Sequence, residues 1–381
     1  MKQGWVDKKL LEIADVSTGK YDANHANENG KYRFYTCAYN YGMCNTNRFS
    51  GESLILPGNG VNVGEVFYYN GEFDAYQRTY IVNNIKIFPK YLHYHMLLYW
   101  KELGTKLQYG SATNFIKIGN FQNYDVSYPP LPEQQRIVAI LGEAFAAIAK
   151  AKANAEQNLK NSKELFESYL QGVFENKGEG WEENILKDVC ELKSGTTISP
   201  SLERTEGDVL YTKVGDMNLP DNEVEINTSS RFVNSREIKI NQIIPQGAII
   251  FPKRGGAIAT NKKRKIIKPT IVDLNTMAII PSKKIDNDYF FHWFQLFDLN
   301  SISNGANIPQ INNYSFDEVY IPYPKSIREQ QLIVQKLEAL SAETKKLEAI
   351  YQQKINDLEE LKKSVLQKAF NGELKTAKAL V

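Results

Sequence analysis

The strongest constraint on this chain is that it states itself twice. Residues 4–19 read GWVDKKLLEIADVSTG, and residues 180–195 read GWEENILKDVCELKSG. Gly4 and Gly180, Trp5 and Trp181, Leu10 and Leu186, Ile13 and Val189, and Gly19 and Gly195 match at a constant offset of 176. A second correspondence runs at an offset of 196: EQQRIV (133–138) with EQQLIV (329–334), and SYLQGVFEN (168–176) with SVLQKAFNG (364–372). The order is globular unit, long helix, globular unit, long helix. A repeat of this length is not a solenoid of short stacking units.

The helices follow from spacing. Pro129, Pro130 and Pro132 end the first unit, because proline continues neither a strand nor a helix interior, and Pro132 suits a first helical turn. From Glu133 to Asn176 there is no proline, and Ile137, Leu141, Ala144, Ile148, Ala151 and Ala155 step by 4, 3, 4, 3, 4. That spacing predicts a coiled-coil seam. Ile333, Leu337, Leu340, Thr344, Leu347 and Tyr351 repeat it, and Gly372 supplies a stop. Each helix would be about 66 Å long at 1.5 Å per residue. If both seams bury each other, the pair is antiparallel. The expected segments are 1–132, 133–176, 177–328 and 329–373, with a tail at 374–381. The fold class is α+β: two mixed α/β units separated by two long antiparallel helices forming a coiled-coil spacer, with internal pseudo-two-fold symmetry.

Inside the units, TYIVNNIKIF (79–88) reads as strand, turn, strand, and YLHYHMLLYWKELG (91–104) as a helix capped at Gly104. EVEINTSSRFVNSREI (223–238) has strand-like β-branched content, and DYFFHWFQLFDL (288–299) pairs with the helix at 91–104. GAIIFPKRGGAIAT (247–260) corresponds to SLILPGNGVNVGE (53–65): an apolar strand, a proline, then a glycine-containing polar loop. GANIPQINNYSFDEV (305–319) aligns with ATNFIKIGNFQNYDV (112–126) at an offset of 193.

A formal net charge of +2 does not by itself announce nucleic acid. The charge is uneven, however. Lys253, Arg254, Lys262, Lys263, Arg264, Lys265 and Lys268 fall between residues 252 and 268 with no acidic residue among them. This is either a phosphate-binding footprint or a solvated basic loop. Three cysteines make no disulfide framework, and no apolar run is long enough to span a membrane. The expected setting is reducing and cytoplasmic.

Enzyme signals are poor. Gly19-Lys20 lacks the remainder of a phosphate-binding loop, and SYPPL (127–131) lacks the residue that opens an amino-methyltransferase motif. Asp221, Glu223 and Glu225 read as an acidic turn. His93 and His95, with Cys37 and Cys44, would make a metal site only by coincidence of folding.

The PPLPEQQRIV and KSIREQQLIV junctions, the SYLQGVFEN and SVLQKAFNG endings, and the segments around Trp5 and Trp181 together resemble the specificity (S) subunits of type I restriction-modification enzymes, over essentially the whole chain. The resemblance implies that each globular unit is a target recognition domain reading one half of a bipartite, asymmetric site in double-stranded DNA. It implies that the helices act as a ruler and docking surface for two methyltransferase (M) subunits, with Glu133, Gln134, Gln135, Glu329, Gln330 and Gln331 as partner contacts. It implies that restriction (R) subunits join the complex, that S-adenosylmethionine sits on the M subunits with no cofactor in this chain, and that the chain itself catalyses nothing. Candidate DNA contacts in the second unit are Lys253, Arg254, Lys262, Lys263, Arg264, Lys265, Asn307 and Gln310. In the first they are Asn59, Asn62, Gln77, Arg78, Thr113, Asn114 and Lys117. Arginine can pair bidentately with guanine and an amide with adenine, whereas for any single amide ordinary turn chemistry competes. Rival readings are a protein-interaction scaffold, a recognition subunit serving a fused methyltransferase-nuclease, and an enzyme with unrecognised residues.

Overall fold

The computed structural model describes residues 4–106, 114–305 and 307–374, with side chains omitted at 103–106. The chain forms two compact units, 1–157 with 351–381, and 158–350. Each unit therefore takes a segment of both long helices.

In the first unit, Val6–Lys9 pairs antiparallel with Asp125–Tyr128. A four-stranded sheet orders Asp15–Thr18, Thr79–Asn83, Glu52–Pro57 and Phe67–Asn70, and a three-stranded sheet orders Gly42–Cys44, Tyr32–Tyr35 and Phe73–Ala75. The second unit repeats the plan with additions. Trp181–Ile185 pairs antiparallel with Tyr320–Pro324. A five-stranded sheet orders Cys190–Ser194, Thr276–Pro281, Ile249–Pro252, Arg264–Ile266 and Glu225–Ile226, beside a three-stranded sheet of Phe232–Val233, Val209–Thr212 and Thr270–Val272.

Details repeat down to single atoms. Leu10 N donates to Tyr124 O at 2.9 Å, and Leu186 N to Val319 O at 2.8 Å. A Cβ on Gly19 would lie 1.9 Å from Ala75 O, and one on Gly195 would lie 1.9 Å from Asp273 O. Only glycine permits so close a backbone approach. The Gly-Lys pair at 19–20 is thus a packing feature.

The long helices span Leu131–Glu175 and Ile327–Phe370, each beginning two residues before the EQQ run. In the first unit, Ile137 and Leu141 share a core with Leu366, Ala369 and Phe370, and Lys152 pairs with Glu359. In the second, Leu170 and Phe174 share a core with Val334 and Leu337. In both units a lower-numbered stretch of one helix meets a higher-numbered stretch of the other, so the pairing is antiparallel. Ile137, Leu141, Ile148 and Ala155 are buried as expected of a seam. Leu347 is not: it is 37% exposed, whereas Thr344 is buried and bonds Leu340 O at 3.0 Å. A three-residue step falls about 60° short of a full circle, enough to carry Leu347 off the buried row.

Other expectations also shift. Strand Thr79–Asn83 is followed by bends, not a second strand, because Asn84 adopts φ 49 and breaks the ladder. The helix around 91–104 spans Pro89–Lys106, passing through Gly104. Over 223–238 only Glu225–Ile226 and Phe232–Val233 are strands. Between them the Asn222 side chain accepts from the backbone N–H of Asn227 (2.8 Å) and Thr228 (3.1 Å), displacing a ladder.

One buried histidine, His95, and two half-buried ones, His93 and His292, couple these cores to pH. His93 bonds Val66 O at 3.2 Å and His95 bonds the Tyr124 hydroxyl at 2.9 Å. Burial pushes His93 down to about 4 and His95 down to about 3. His292 in the second unit is pushed down to about 4, again chiefly by burial. Below pH 6.5 the unfolded chain takes up protons that these folded-state imidazoles refuse, so stability is lost as pH falls from 6.5 toward 4. His95→Gln should flatten that slope for the first unit by about one proton, or ~1.4 kcal/mol per pH unit. Urea titrations at pH 7, 6 and 5 check this.

Candidate nucleic-acid interface

Among the described residues, each unit carries a loop clamped at its base and open at its tip. In the first, strand Glu52–Pro57 runs into Gly58, Asn59 and Gly60. Ile116 N donates to Gly58 O (2.9 Å), Asn59 bridges Phe115, and Gly60 N donates to Asn114 O (2.8 Å). In the second, strand Ile249–Pro252 runs into Lys253, Arg254 and Gly255. Ile311 N donates to Lys253 O (2.8 Å), Arg254 bridges Gln310, and Gly255 N donates to Pro309 O (2.8 Å). The two segments that carry the candidates therefore meet in each unit. The equivalence runs at an offset of 195, not the 193 that direct alignment of 112–126 with 305–319 suggests. Lys117 N to Asn120 Oδ1 (2.9 Å) and Asn312 N to Ser315 Oγ (3.1 Å) keep the same 195.

In the first unit Asn59, Gln77 and Arg78 line one cavity of about 360 Å³ with Tyr80 and Phe115. Gln77, Arg78, Asn114 and Lys117 are exposed, and the Lys117 ammonium lies 5.7 Å from the Phe115 ring. Asn62 is a brace: its amide donates to Cys37 O at 2.8 Å. Thr113 lies outside the described residues. A neighbouring cluster escapes the sequence reading. The Arg33 guanidinium stacks on Tyr41 (4.2 Å) and Tyr69 (4.3 Å) and bonds the Tyr35 hydroxyl, while Tyr39 is 71% exposed. Such a surface offers cation and π-face together. The aromatic run YRFYTCAYNY (32–41) was the available signal.

The basic footprint of the second unit mostly turns inward. Lys263 is 1% exposed, bonds Phe297 O and Asn261 Oδ1, and is pushed down to about 8 by burial. Arg264 donates to the carbonyls of Asn222, Lys263 and Met217. Lys265 pairs with Glu225 (3.1 Å) and Asp288 (3.0 Å), which also places Glu225 of the acidic turn in an ion pair. Lys262 bonds Asn218, and Lys253 donates to Ser194 Oγ at 3.0 Å. A run of like charge in sequence is here distributed over acceptors from several elements, which no local pattern reveals. Arg254 and Asn307 are exposed, and the Gln310 amide donates to Asn312 Oδ1 at 3.0 Å.

The EQQ junctions divide by direction. Gln134 is buried: its Oε1 accepts from Phe88 N (2.8 Å) and its Nε2 donates to Pro129 O (2.7 Å). Gln330 repeats this with Asp286 N (2.7 Å) and Pro324 O (2.8 Å), adding Lys284 O (3.0 Å). These two glutamines latch the helix start to its own unit and are not presented as partner contacts. Gln135, Glu329 and Gln331 are exposed, and half-buried Glu133 is held by Arg136 at 2.6 Å, which keeps its carboxyl below the usual range.

Gln330→Ala removes the side-chain partner of three backbone groups, Pro324 O in a buried bond and Asp286 N and Lys284 O in partly buried ones, so a loss of about 1–3 kcal/mol is expected. Gln331→Ala should cost under ~0.5 kcal/mol. Chemical denaturation of the two variants tests the contrast.

The family model described as type I restriction modification DNA specificity domain matches this chain twice, over residues 2–160 and 178–360. The EcoDI type I restriction enzyme specificity subunit of Escherichia coli is 27% identical, over 97% of this chain and 88% of that protein. The MjaVIII type I restriction enzyme specificity subunit of Methanocaldococcus jannaschii is 25% identical, over 84% and 79%. Among solved structures, a chain from work on assembly and conformational transition of the type I R-M system superposes with a TM-score of 0.78 at 16% identity, over 98% of this chain and 99% of that one. The HsdS subunit from Thermoanaerobacter tengcongensis gives 0.60 at 15% identity, over 98% of each. Two family matches over most of the chain, one on each half of the duplicated fold, place it in the type I restriction-modification DNA specificity family, as a subunit that recognises DNA sequence.

Proposed function

We propose that this chain is the two-headed reader of a bipartite, asymmetric DNA target within a type I restriction-modification complex. Each unit reads one half-site, and the paired helices set the unread gap between them. The observation that carries the reading is the clamped, open-tipped loop present once in each unit on the same backbone frame, but with different side chains. Equivalent frames with unlike side chains suit a protein that reads two unlike sequences, because base identity is read by side chains at fixed register. The continuous helices Leu131–Glu175 and Ile327–Phe370 support the ruler role.

Two methyltransferase subunits dock on the helices, with Gln135, Glu329 and Gln331 available as contacts, and carry the S-adenosylmethionine. Restriction subunits complete the assembly, and this chain supplies no catalytic group. The complex works in the cytoplasm.

A footprint of the chain assembled with its methyltransferase subunits should show two protected half-sites around an indifferent gap. One continuous short site would count against the reading. Binding that hardly weakens with salt would favour a protein scaffold, since phosphate contacts release counterions. Inserting seven residues in each helix beside Lys152 and Glu359 preserves the seam and adds about 10 Å of rise. The gap should lengthen by about three base pairs at ~3.4 Å each. An unchanged gap in the methylated target would rule out the ruler.

A further inference from the structure

We infer that Asn59 and Arg254 are the same reading position in the two units, and that they discriminate an adenine and a guanine respectively. The inference rests on the bipartite reading above and deepens it. The equivalence is geometric. Both residues follow a strand ending in proline by two positions, Pro57 and Pro252. Both form an antiparallel bridge, to Phe115 and to Gln310. Both are flanked by the same two backbone hydrogen bonds, at 2.8–2.9 Å in one unit and 2.8 Å in the other.

Both are followed by a glycine in the left-handed region, Gly60 at φ 84 and Gly255 at φ 76. A Cβ on Gly60, Gly255 or Gly256 would meet nothing within 4 Å among the described residues. Close packing therefore does not account for these glycines; they turn the chain and leave the loop tip open to a large ligand. Next to them Val61 is 96% exposed. The backbone at Asn59 and Arg254 is thus held on both sides, and among the described residues nothing packs against the glycines that follow. This is a pre-organised frame for one projecting side chain.

The side chains complete the argument. Neither the Asn59 amide nor the Arg254 guanidinium has a hydrogen bond or ion pair among the described residues, whereas Lys262, Lys263, Arg264 and Lys265 are all engaged. A guanidinium presents two parallel donors, which match guanine O6 and N7. An amide presents one donor and one acceptor, which match adenine N7 and N6.

The test uses the full chain assembled with its methyltransferase subunits and a duplex set in which every position of the methylated target is changed in turn. Arg254→Ala should remove a preference of about 5- to 150-fold for guanine at one position of one half-site. Arg254→Lys should lose it too, because a point charge lacks the fork. Asn59→Ala should remove a preference for adenine at one position of the other half-site, and Asn59→Arg should move that preference toward guanine. Unchanged thermal midpoints show that the variants fold. A uniform loss on every duplex would overturn the inference by making these phosphate contacts, and unaltered preferences at all positions would overturn it outright. Wild-type complex with no half-site preference would instead sink the bipartite reading on which it rests.

Discussion

A phenylalanine near the end of each long helix closes the core of a unit, and the rest of the architecture depends on that closure. Phe174 meets Tyr289 edge-on at 5.3 Å, and Phe370 meets Tyr91 edge-on at 5.2 Å. The two tyrosine hydroxyls then bond Pro322 O and Ser127 O, tying each helix end to the paired strands at the base of its unit. Phe370 comes from the far end of the chain, so the core of the first unit is complete only after the last helix is made. The first unit is therefore discontinuous in sequence, and burying a large aromatic ring is a strong enough driving force to impose that connectivity.

The glutamine latches work at the opposite end of each helix. Proline-rich turns leave backbone groups unpaired, and a buried amide satisfies a donor and an acceptor at once. Gln134 and Gln330 do this with the same atoms in the same roles. A motif that reads as surface chemistry therefore includes one residue whose function is to hold a helix start in place. Of the flanking positions, Gln135, Glu329 and Gln331 are exposed, whereas Glu133 is half-buried and held by Arg136.

Electrostatics separates the two units more than topology does. The second unit gathers its basic run against its own carbonyls and carboxylates and leaves the Arg254 guanidinium projecting. The first unit offers amides, Arg78 and a tyrosine-stacked Arg33. A near-neutral chain can then present local positive charge without a basic surface overall.

Linear order alone determined the duplication, the α+β class and the antiparallel helix pair. Repeat offset and apolar period are properties of the sequence itself, and a 4, 3 stepping can be satisfied only by a helix with one buried side. Linear order also placed the two glycine loops correctly. Only tertiary structure decided which candidates stay free. Lys263 and Lys253 are both basic residues of one run, yet one is buried beneath Phe297 O and the other is partly exposed, because their acceptors come from distant elements. The same holds for Gln134 against Gln135, for Leu347 against Thr344, and for the true offset of 195. Burial and hydrogen-bond satisfaction are set by neighbours in space, and the sequence lists only neighbours along the chain.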